Sequence, residues 1–101
     1  MKQKIISAAG KKILFLPHAI NQMSRPDRMI STEEVKTAIF SGEIIEEYPE
    51  DSRGESFLIL HKGSKRAIHV VCSPKTEYLA IITAYIPAKG LWFKDLKVRR
   101  K

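Results

Sequence analysis

Residues 43–85 contain four β-prone runs joined by short, turn-rich links, and this pattern limits the fold more than any other feature. The runs are EIIEEYP (43–49), SFLILH (56–61), AIHVVC (67–72) and YLAIITAY (78–85). Parallel crossovers need a dozen or more residues, so links this short connect antiparallel neighbours. The four runs therefore predict an antiparallel meander. The second run is almost continuously apolar, which is typical of a strand covered on both sides.

The residues before the meander predict a candidate first strand and a short helix. The strand is KKILFL, residues 11–16. Pro17 then suits the first position of a helix, where its missing N–H costs nothing. Ile20 and Met23 are expected on the buried side of this helix, and Pro26 ends it.

A second helix is predicted at residues 32–41. Ser31 can cap it, Glu34 is placed to complete a capping box, and Gly42 follows as a stop signal. Its inward stripe is Val35, Ala38 and Ile39. We therefore predict an α+β fold, with two N-terminal helices packed on one face of a four-stranded antiparallel sheet and a candidate short C-terminal helix.

Size and composition fit one domain over residues 1–101, with 44% hydrophobic and 29% charged residues. No apolar run approaches the roughly 20 residues that span a bilayer. The basic start is interrupted by lysines, unlike a secretory signal. The single cysteine, Cys72, excludes an internal disulfide and fits a reducing compartment. We expect a cytoplasmic protein that does not bind a membrane.

The net charge of +7 is unevenly distributed along the chain. Residues 27–55 hold nine of the eleven acids against three bases, a net charge of −6, and the remainder carries +13. A basic body suits a polyanion such as RNA or DNA, through neutralisation of its phosphates. A merely solvated surface with a basic tail is the alternative. The acidic segment could dock a basic partner or simply offset self-repulsion.

Side-chain alternation divides the last two runs between two faces of the sheet. Two small apolar sets suit close packing beneath helices: Ile68, Val70 and Cys72, and Ala80, Ile82 and Ala84. If these sets share the helix-covered face, His69, Thr83 and Tyr85 share the other one. A register shift of one residue would separate them. All three residue types also occur in strands for structural reasons, and that interpretation stays open.

Six segments resemble, in order, a bacterial family known as domain of unknown function 4258. They are PHAINQM, RMISTEEV, GEIIEEYPED, RGESFLIL, IHVVC and IITAYIP with a later tryptophan, over about residues 17–92, which leaves 93–101 as a basic tail. That family is similar to the RelE-type fold, grouped with barnase, colicin and EndoU nucleases. Many members of this group are RNA-cleaving toxins held by a cognate antitoxin. The resemblance implies a RelE-like domain, RNA and an antitoxin as partners, and no cofactor.

The resemblance also identifies five candidate catalytic residues, which are His18, Arg28, His69, Thr83 and Tyr85. Metal-free RNA cleavage needs a base for the 2′-hydroxyl proton, an acid for the leaving 5′-oxygen and cations for the phosphate. In these roles His18 would be the base and Arg28 the phosphate-binding cation. Tyr85 or His69 would act as acid or orient the nucleotide, and Thr83 would hold a phosphate oxygen.

One position departs from the family pattern, because Gln22 stands where the family commonly has an arginine. Arg25 and Arg28 are candidates to supply that charge. The predicted RNA-binding set is Gln22, Arg25, Arg53, Lys97, Arg99 and Arg100. Competing structural interpretations remain: the arginines could pair with nearby acids, and His18 could be a helix-cap or surface residue.

Two functions follow as predictions. The first is a metal-independent endoribonuclease toxin of a toxin–antitoxin pair, acting on RNA such as ribosome-associated mRNA. The alternative is a non-catalytic nucleic-acid or protein-binding module on the same fold. No metal site is predicted, because the three histidines lack close spacing to other ligands. The run around Cys72 predicts a core thiol and not a nucleophile.

Overall fold

The first half of the described fold contains three helices and one short strand, and a meander of four strands follows. The structure is a computed structural model that describes residues 2–87. Within that range the elements are α1 (Lys2–Lys11), β1 (Ile13–Phe15), α2 (Pro17–Met23), α3 (Thr32–Ser41), β2 (Glu43–Tyr48), β3 (Ser56–Lys62), β4 (Ala67–Pro74) and β5 (Leu79–Tyr85). The predicted C-terminal helix and basic tail lie outside the described residues.

The described strands form one mixed sheet in the order β1-β5-β4-β3-β2. Strands β2 to β5 pair with their sequence neighbours in antiparallel fashion, as the short links predicted. β1 pairs with β5 in parallel, with Leu14 opposite Ala80. Helices α1 and α3 contact each other and cover one face of β3 to β5, while α2 packs against β5. Residues 57–60 of β3 are all buried, as expected for a covered strand.

The predicted four-stranded antiparallel sheet with two N-terminal helices is wrong. Residues 2–87 contain five strands, one parallel pair and three helices. The candidate strand at 11–16 is real, but only Ile13–Phe15 pair, too few residues to show a period of two. Its partner β5 is distant in sequence, so local pattern could not identify the parallel pairing.

Helix α1 was not predicted because its apolar positions are separated by lysines and polar residues. Ile5, Ala8 and Ala9 are nevertheless buried, at the three- and four-residue spacing of one helical face. A stripe this narrow is stabilised by packing against the sheet and not by helix propensity. Lys4 and Lys11 of α1 are exposed.

Helix α2 has the predicted bounds, but its buried stripe is different. Pro17 stands at its start, and the helix ends at Met23 before Pro26. Ala19 and Met23 are buried, whereas Ile20 is 41% exposed. Residues four apart form a single row along a helix, and α2 docks on the row of Ala19 and Met23.

Helix α3 confirms the prediction for residues 32–41. The Ser31 hydroxyl accepts a hydrogen bond from the Glu34 backbone N–H at 3.0 Å, and the buried residues are Val35, Ala38 and Ile39. The Glu34 carboxylate bonds to Arg66 of the β3–β4 hairpin. The N-terminal end of α3 is thereby tied to the sheet.

A β-bulge at Ile82 divides β5 between the two faces. Thr83 stands opposite Val71 and Ile81 opposite Cys72, so Ile82 is the extra residue. The core contains Leu79, Ile81 and Ala84 from this strand, and therefore the expectation that Ala80 and Ile82 lie beneath the helices is wrong. The period-2 argument assumed an uninterrupted strand.

His69, Thr83 and Tyr85 lie on the face opposite helices α1 and α3, which we call the second face. His69 pairs with Tyr85, and Thr83 pairs with Val71. Residues on β4 alternate between faces, and the intervening Val70 belongs to the core. The three polar side chains are thus grouped as the register argument required, and the bulge changes only the faces of the residues that precede Thr83.

Two glycines give a matched test of this packing. A Cβ at Gly42 would lie 2.5 Å from the Ala38 carbonyl oxygen and 2.8 Å from the Leu60 carbonyl oxygen, whereas a Cβ at Gly10 has no neighbour within 4 Å. We expect Gly42→Ala to lower the free energy of unfolding by about 1–3 kcal/mol through overpacking. Gly10→Ala should raise it by up to about 1 kcal/mol through helix propensity. Urea unfolding followed by circular dichroism measures both, and equal effects would contradict the packing described.

Candidate functional site

A cavity of about 400 Å³, which we call the His18 cavity, is open on the second face of the sheet. It is lined by His18 from α2, Tyr48 from the end of β2, Asp51 and Arg53 from the β2–β3 turn, Val71 from β4, and Ile82 and Thr83 from β5. Four segments that are separate in sequence therefore line one concave surface, and three of them contribute polar side chains. Such convergence is typical of a binding site.

His18 reaches this cavity because the chain leaves β1 directly beside β5. The Leu16 N–H donates to the Ile81 carbonyl at 3.1 Å, which continues the parallel pairing to the residue just before the helix. Ala19 is fully buried against the core and fixes the rotation of α2. His18, the preceding residue, is exposed and borders the cavity.

Arg53 is held at the cavity by Asp51 of the same turn. One Asp51 carboxylate oxygen accepts from the Arg53 backbone N–H at 2.9 Å and from Nε at 3.0 Å. The other oxygen accepts from Arg53 Nη2 at 2.9 Å and from the Ser56 hydroxyl at 2.8 Å. These hydrogen bonds, chiefly those from Arg53, hold the pKa of Asp51 well below its ordinary value. In return the Asp51 hydrogen bond raises the pKa of Arg53.

The turn that carries Arg53 is fixed from the neighbouring strand as well. Gly54 has a φ of 99°, a conformation that favours glycine, and its N–H donates to the Asp51 carbonyl at 2.9 Å. The Ser73 hydroxyl donates to the Glu55 carbonyl at 2.7 Å, and the Lys75 ammonium donates to the Arg53 carbonyl. The cation is therefore presented by an ordered turn.

Two hydroxyl groups and an apolar floor complete the cavity. Thr83 and Val71 stand opposite each other on β5 and β4, with Ile82 in the bulge beside them. At the other side, the Tyr48 hydroxyl donates to a Glu46 carboxylate oxygen. The bulge places Ile82 and Thr83 together on the second face, where both line the cavity.

His69 and Tyr85 form a pair on the same face but do not line the His18 cavity. The His69 Nδ1 and Tyr85 hydroxyl lie 3.3 Å apart, and the rings meet edge-on with centroids 5.4 Å apart. His69 is completely buried. On each strand the pair lies two residues from the Val71–Thr83 pair: His69 precedes Val71 by two residues, and Tyr85 follows Thr83 by two. The structure thus brings these two predicted residues together, beside the cavity.

Arg28 also lies outside the His18 cavity. Its Nη1 donates to the Gln22 side-chain oxygen at 2.9 Å. Gln22 is four residues after His18, so both occupy one row of α2 and Arg28 is anchored one turn away from the imidazole. Arg25 forms an exposed ion pair with Asp27 at 3.4 Å, which agrees with the competing interpretation for that residue.

Arg28 instead lines a larger cavity of about 740 Å³ at the β3–β4 hairpin, which we call the hairpin cavity. Its walls are Arg28, Met29, Glu34, Thr37, His61, Gly63, Ser64, Lys65 and Arg66. Arg66 forms a two-point contact with the Glu34 carboxylate at 2.7 and 3.0 Å, and it donates to the Arg28 and Met29 carbonyls. The Arg66 hydrogen bond lowers the pKa of Glu34.

A family model described as Domain of unknown function (DUF4258) matches residues 15–86. The chain belongs to this family. Neither a curated protein nor a solved structure matches the sequence significantly. The DUF4258 match agrees with the resemblance identified at about residues 17–92, and it includes every residue that lines either cavity.

Several residues of this DUF4258 chain were not predicted as site residues. Tyr48, Asp51, Met29 and Lys65 were not among the predicted site residues, although all four line one of the two cavities. An aspartate two residues before an arginine within a turn was the available signal for Asp51, because such aspartates often bond to the following backbone. The predicted Lys97, Arg99 and Arg100 lie outside the described residues.

Residues 2–87 contain neither a metal-binding cluster nor a membrane-spanning helix. In that range no three His, Cys, Asp or Glu side chains are grouped so that they could hold a metal ion. The described helices are all too short or too polar to cross a bilayer. Cys72 is buried in the core as predicted, and burial raises the pKa of its thiol to about 12.

The Asp51 contacts predict a specific dependence of stability on pH. A carboxylate whose pKa is lowered by folding stabilises the protein above its ordinary pKa of 3.8, and this contribution is lost as the pH falls through the lower folded value. Asp51→Asn should therefore be less stable than wild type at pH 7, and the difference should shrink below about pH 4. Urea unfolding at pH 7, 4 and 2.5 measures this.

Asp27→Asn is the matched control, because Asp27 makes only the exposed ion pair with Arg25 among the described contacts. Exposed pairs contribute little to stability, about 0–1 kcal/mol. A constant difference between Asp51→Asn and wild type at all three pH values would show that the carboxylate charge is not what holds the turn.

Proposed function

We propose that this chain is a metal-independent endoribonuclease that cleaves RNA in the His18 cavity. The observation that carries the proposal is the convergence of an imidazole, an anchored guanidinium and two hydroxyl groups on one concave surface. These are the groups that RNA cleavage by side chains alone requires: a base, a phosphate-binding cation and proton donors.

In the proposed reaction, His18 accepts the proton of the RNA 2′-hydroxyl. The 2′-oxygen forms a bond to phosphorus while the bond from phosphorus to the 5′-oxygen breaks. The Tyr48 phenol breaks its hydrogen bond to Glu46, gives its proton to the departing 5′-oxygen and later recovers one from solvent. The products are a 2′,3′-cyclic phosphate and a 5′-hydroxyl end, so no metal ion is needed to balance the step.

Arg53 is the proposed phosphate ligand. A guanidinium carries five N–H donors. Asp51 accepts hydrogen bonds from the Nε–H and from one N–H of Nη2. The edge formed by Nη1 and the remaining Nη2 proton then has the geometry for two parallel hydrogen bonds to a phosphate. Because Asp51 and the turn fix the guanidinium beforehand, little side-chain freedom is lost on binding. The Thr83 hydroxyl is the proposed donor to another phosphate oxygen.

The charge of the chain supports RNA as the substrate, because a net charge of +7 favours association with a polyanion. The likeness of its family to the RelE group supports a role as a toxin that acts on cytoplasmic RNA and is held by a cognate antitoxin. The family membership itself assigns no activity, so this part of the proposal depends on the cavity and on that likeness.

A non-catalytic RNA-binding module on the same fold is the second candidate. The observation that favours it is the contact between His69 and Tyr85. Both were predicted to serve the reaction, yet they bond to each other beside the cavity. This candidate keeps the basic surface and the phosphate contacts but lacks the cleavage step.

The first test measures cleavage of a short single-stranded RNA by the purified chain. We expect wild type to release a 2′,3′-cyclic phosphate end and His18→Ala to lower the rate at least about 100-fold, the usual loss when a general base is removed. Arg53→Ala should lower the rate by about 10-fold or more through loss of a charged hydrogen bond. Lys36→Ala is the control, because Lys36 is on α3 and lines neither cavity.

An RNA in which the reactive ribose is replaced by deoxyribose should bind but remain intact. If wild type binds RNA but leaves it uncut, and His18→Ala binds equally well, the nuclease proposal is wrong and the non-catalytic RNA-binding module is favoured. Equal cleavage by wild type and His18→Ala would instead remove His18 from the mechanism.

A second test addresses the toxin role. We expect induced expression of the wild-type chain in a bacterial host to arrest growth, because cleavage of cellular RNA stops protein synthesis. His18→Ala should relieve the arrest, and Lys36→Ala should not. Normal growth at an expression level that yields active nuclease in the extract would overturn the toxin role and leave the nuclease activity standing.

A further inference from the structure

The hairpin cavity is basic and has a volume suited to a nucleotide-sized ligand. Its wall carries the guanidinium of Arg28, the ammonium of Lys65 and the imidazole of His61. Its one acid, Glu34, is held in a two-point ion pair by Arg66. The charges of Arg28 and Lys65 are therefore not balanced within the wall.

Met29 is the second unusual feature of this cavity. It is the only residue other than glycine with a positive φ, 50°, among those the structure describes, and it is 68% exposed. Its N–H donates to the Arg25 carbonyl at 3.0 Å and its carbonyl accepts from Arg66 at 3.1 Å. Backbone strain persists where the surroundings enforce it, and it is concentrated at functional sites. Here it presents a large apolar side chain to solvent beside two cations.

The hairpin cavity is connected to the His18 cavity through α2. Arg28 bonds to Gln22, and Gln22 lies one helical turn from His18. A strand that bound in the His18 cavity and continued along α2 would reach Arg28 beside Gln22.

We infer that the hairpin cavity binds a second nucleotide of the same single-stranded RNA, which makes it a subsite of the proposed nuclease and rests on that function. Arg28 and Lys65 contact the backbone phosphate. Met29 and His61 contact the base, because unpaired bases are commonly held against imidazole rings and apolar side chains. In this scheme the hairpin cavity recognises longer substrates, and the reaction takes place in the His18 cavity.

The experiment measures binding of fluorescein-labelled 2′-O-methyl RNA, which has no free 2′-hydroxyl and stays intact on the wild-type chain. A dinucleotide and a twelve-nucleotide strand are titrated at several salt concentrations. The variants are Met29→Asn and Lys65→Ala, and Lys36→Ala is the control. Asparagine tolerates a positive φ, so Met29→Asn removes the apolar side chain without loss of folding.

For the long strand we expect Met29→Asn to raise the dissociation constant about 5-fold or more, with a melting temperature equal to or above that of wild type. Lys65→Ala should weaken binding and reduce the slope of log affinity against log salt by about 0.7, the value for one phosphate contact in a single strand. The dinucleotide should bind all forms equally.

Unchanged affinity for the long strand in both variants would overturn the subsite, while the proposed nuclease would stand. Equal weakening for the dinucleotide and the long strand would also overturn it, because the effect would then not depend on strand length. Absence of RNA binding by wild type would remove the proposed function together with the subsite.

Discussion

The pairing of β1 with β5 is the interaction on which the rest of the structure depends. Only three residues of β1 pair, yet they fix where α2 begins, because the hydrogen bond from Leu16 to Ile81 carries the pairing to the start of the helix. With Ala19 buried, one rotation of α2 remains, and it brings His18 to the second face. Without this contact the imidazole would have no fixed position relative to Thr83.

The acidic residues of the 27–55 segment act mainly through individual ion pairs with nearby cations. Five of its nine acids form ion pairs with cations among the described residues: Asp27, Glu33, Glu34, Asp51 and Glu55. The pairs of Asp27 and Glu33 are exposed on both partners and add little stability. The less exposed carboxylates of Asp51 and Glu34 each orient an arginine, Asp51 at Arg53 and Glu34 at Arg66. This pairing favours charge compensation within the chain over a continuous acidic surface for a partner.

Local sequence patterns predicted most helices and strands. They failed where contacts with residues distant in sequence determine the structure. Helix α3 and the four strands of the meander were predicted because their caps, turns and periodicity lie within a few residues. Helix α1 was missed because its apolar stripe is only three residues, and the helix depends on packing against the sheet. Ala84 is in the core as predicted, but the face predicted for Ala80 and Ile82 was wrong, because a bulge depends on the pairing of two strands and is not visible in the sequence of one.

The sequence by itself determined the α+β composition, the meander, the basic character of the chain, and His18, Arg53 and Thr83 as candidate residues. Only the tertiary structure decided which of them meet. Arg53 joined His18 because a turn at the far side of the sheet is held by Asp51, and Arg28 was directed elsewhere by its bond to Gln22. The physical reason is that composition and periodicity are local, whereas a cavity is made by contacts between segments that are far apart in the chain.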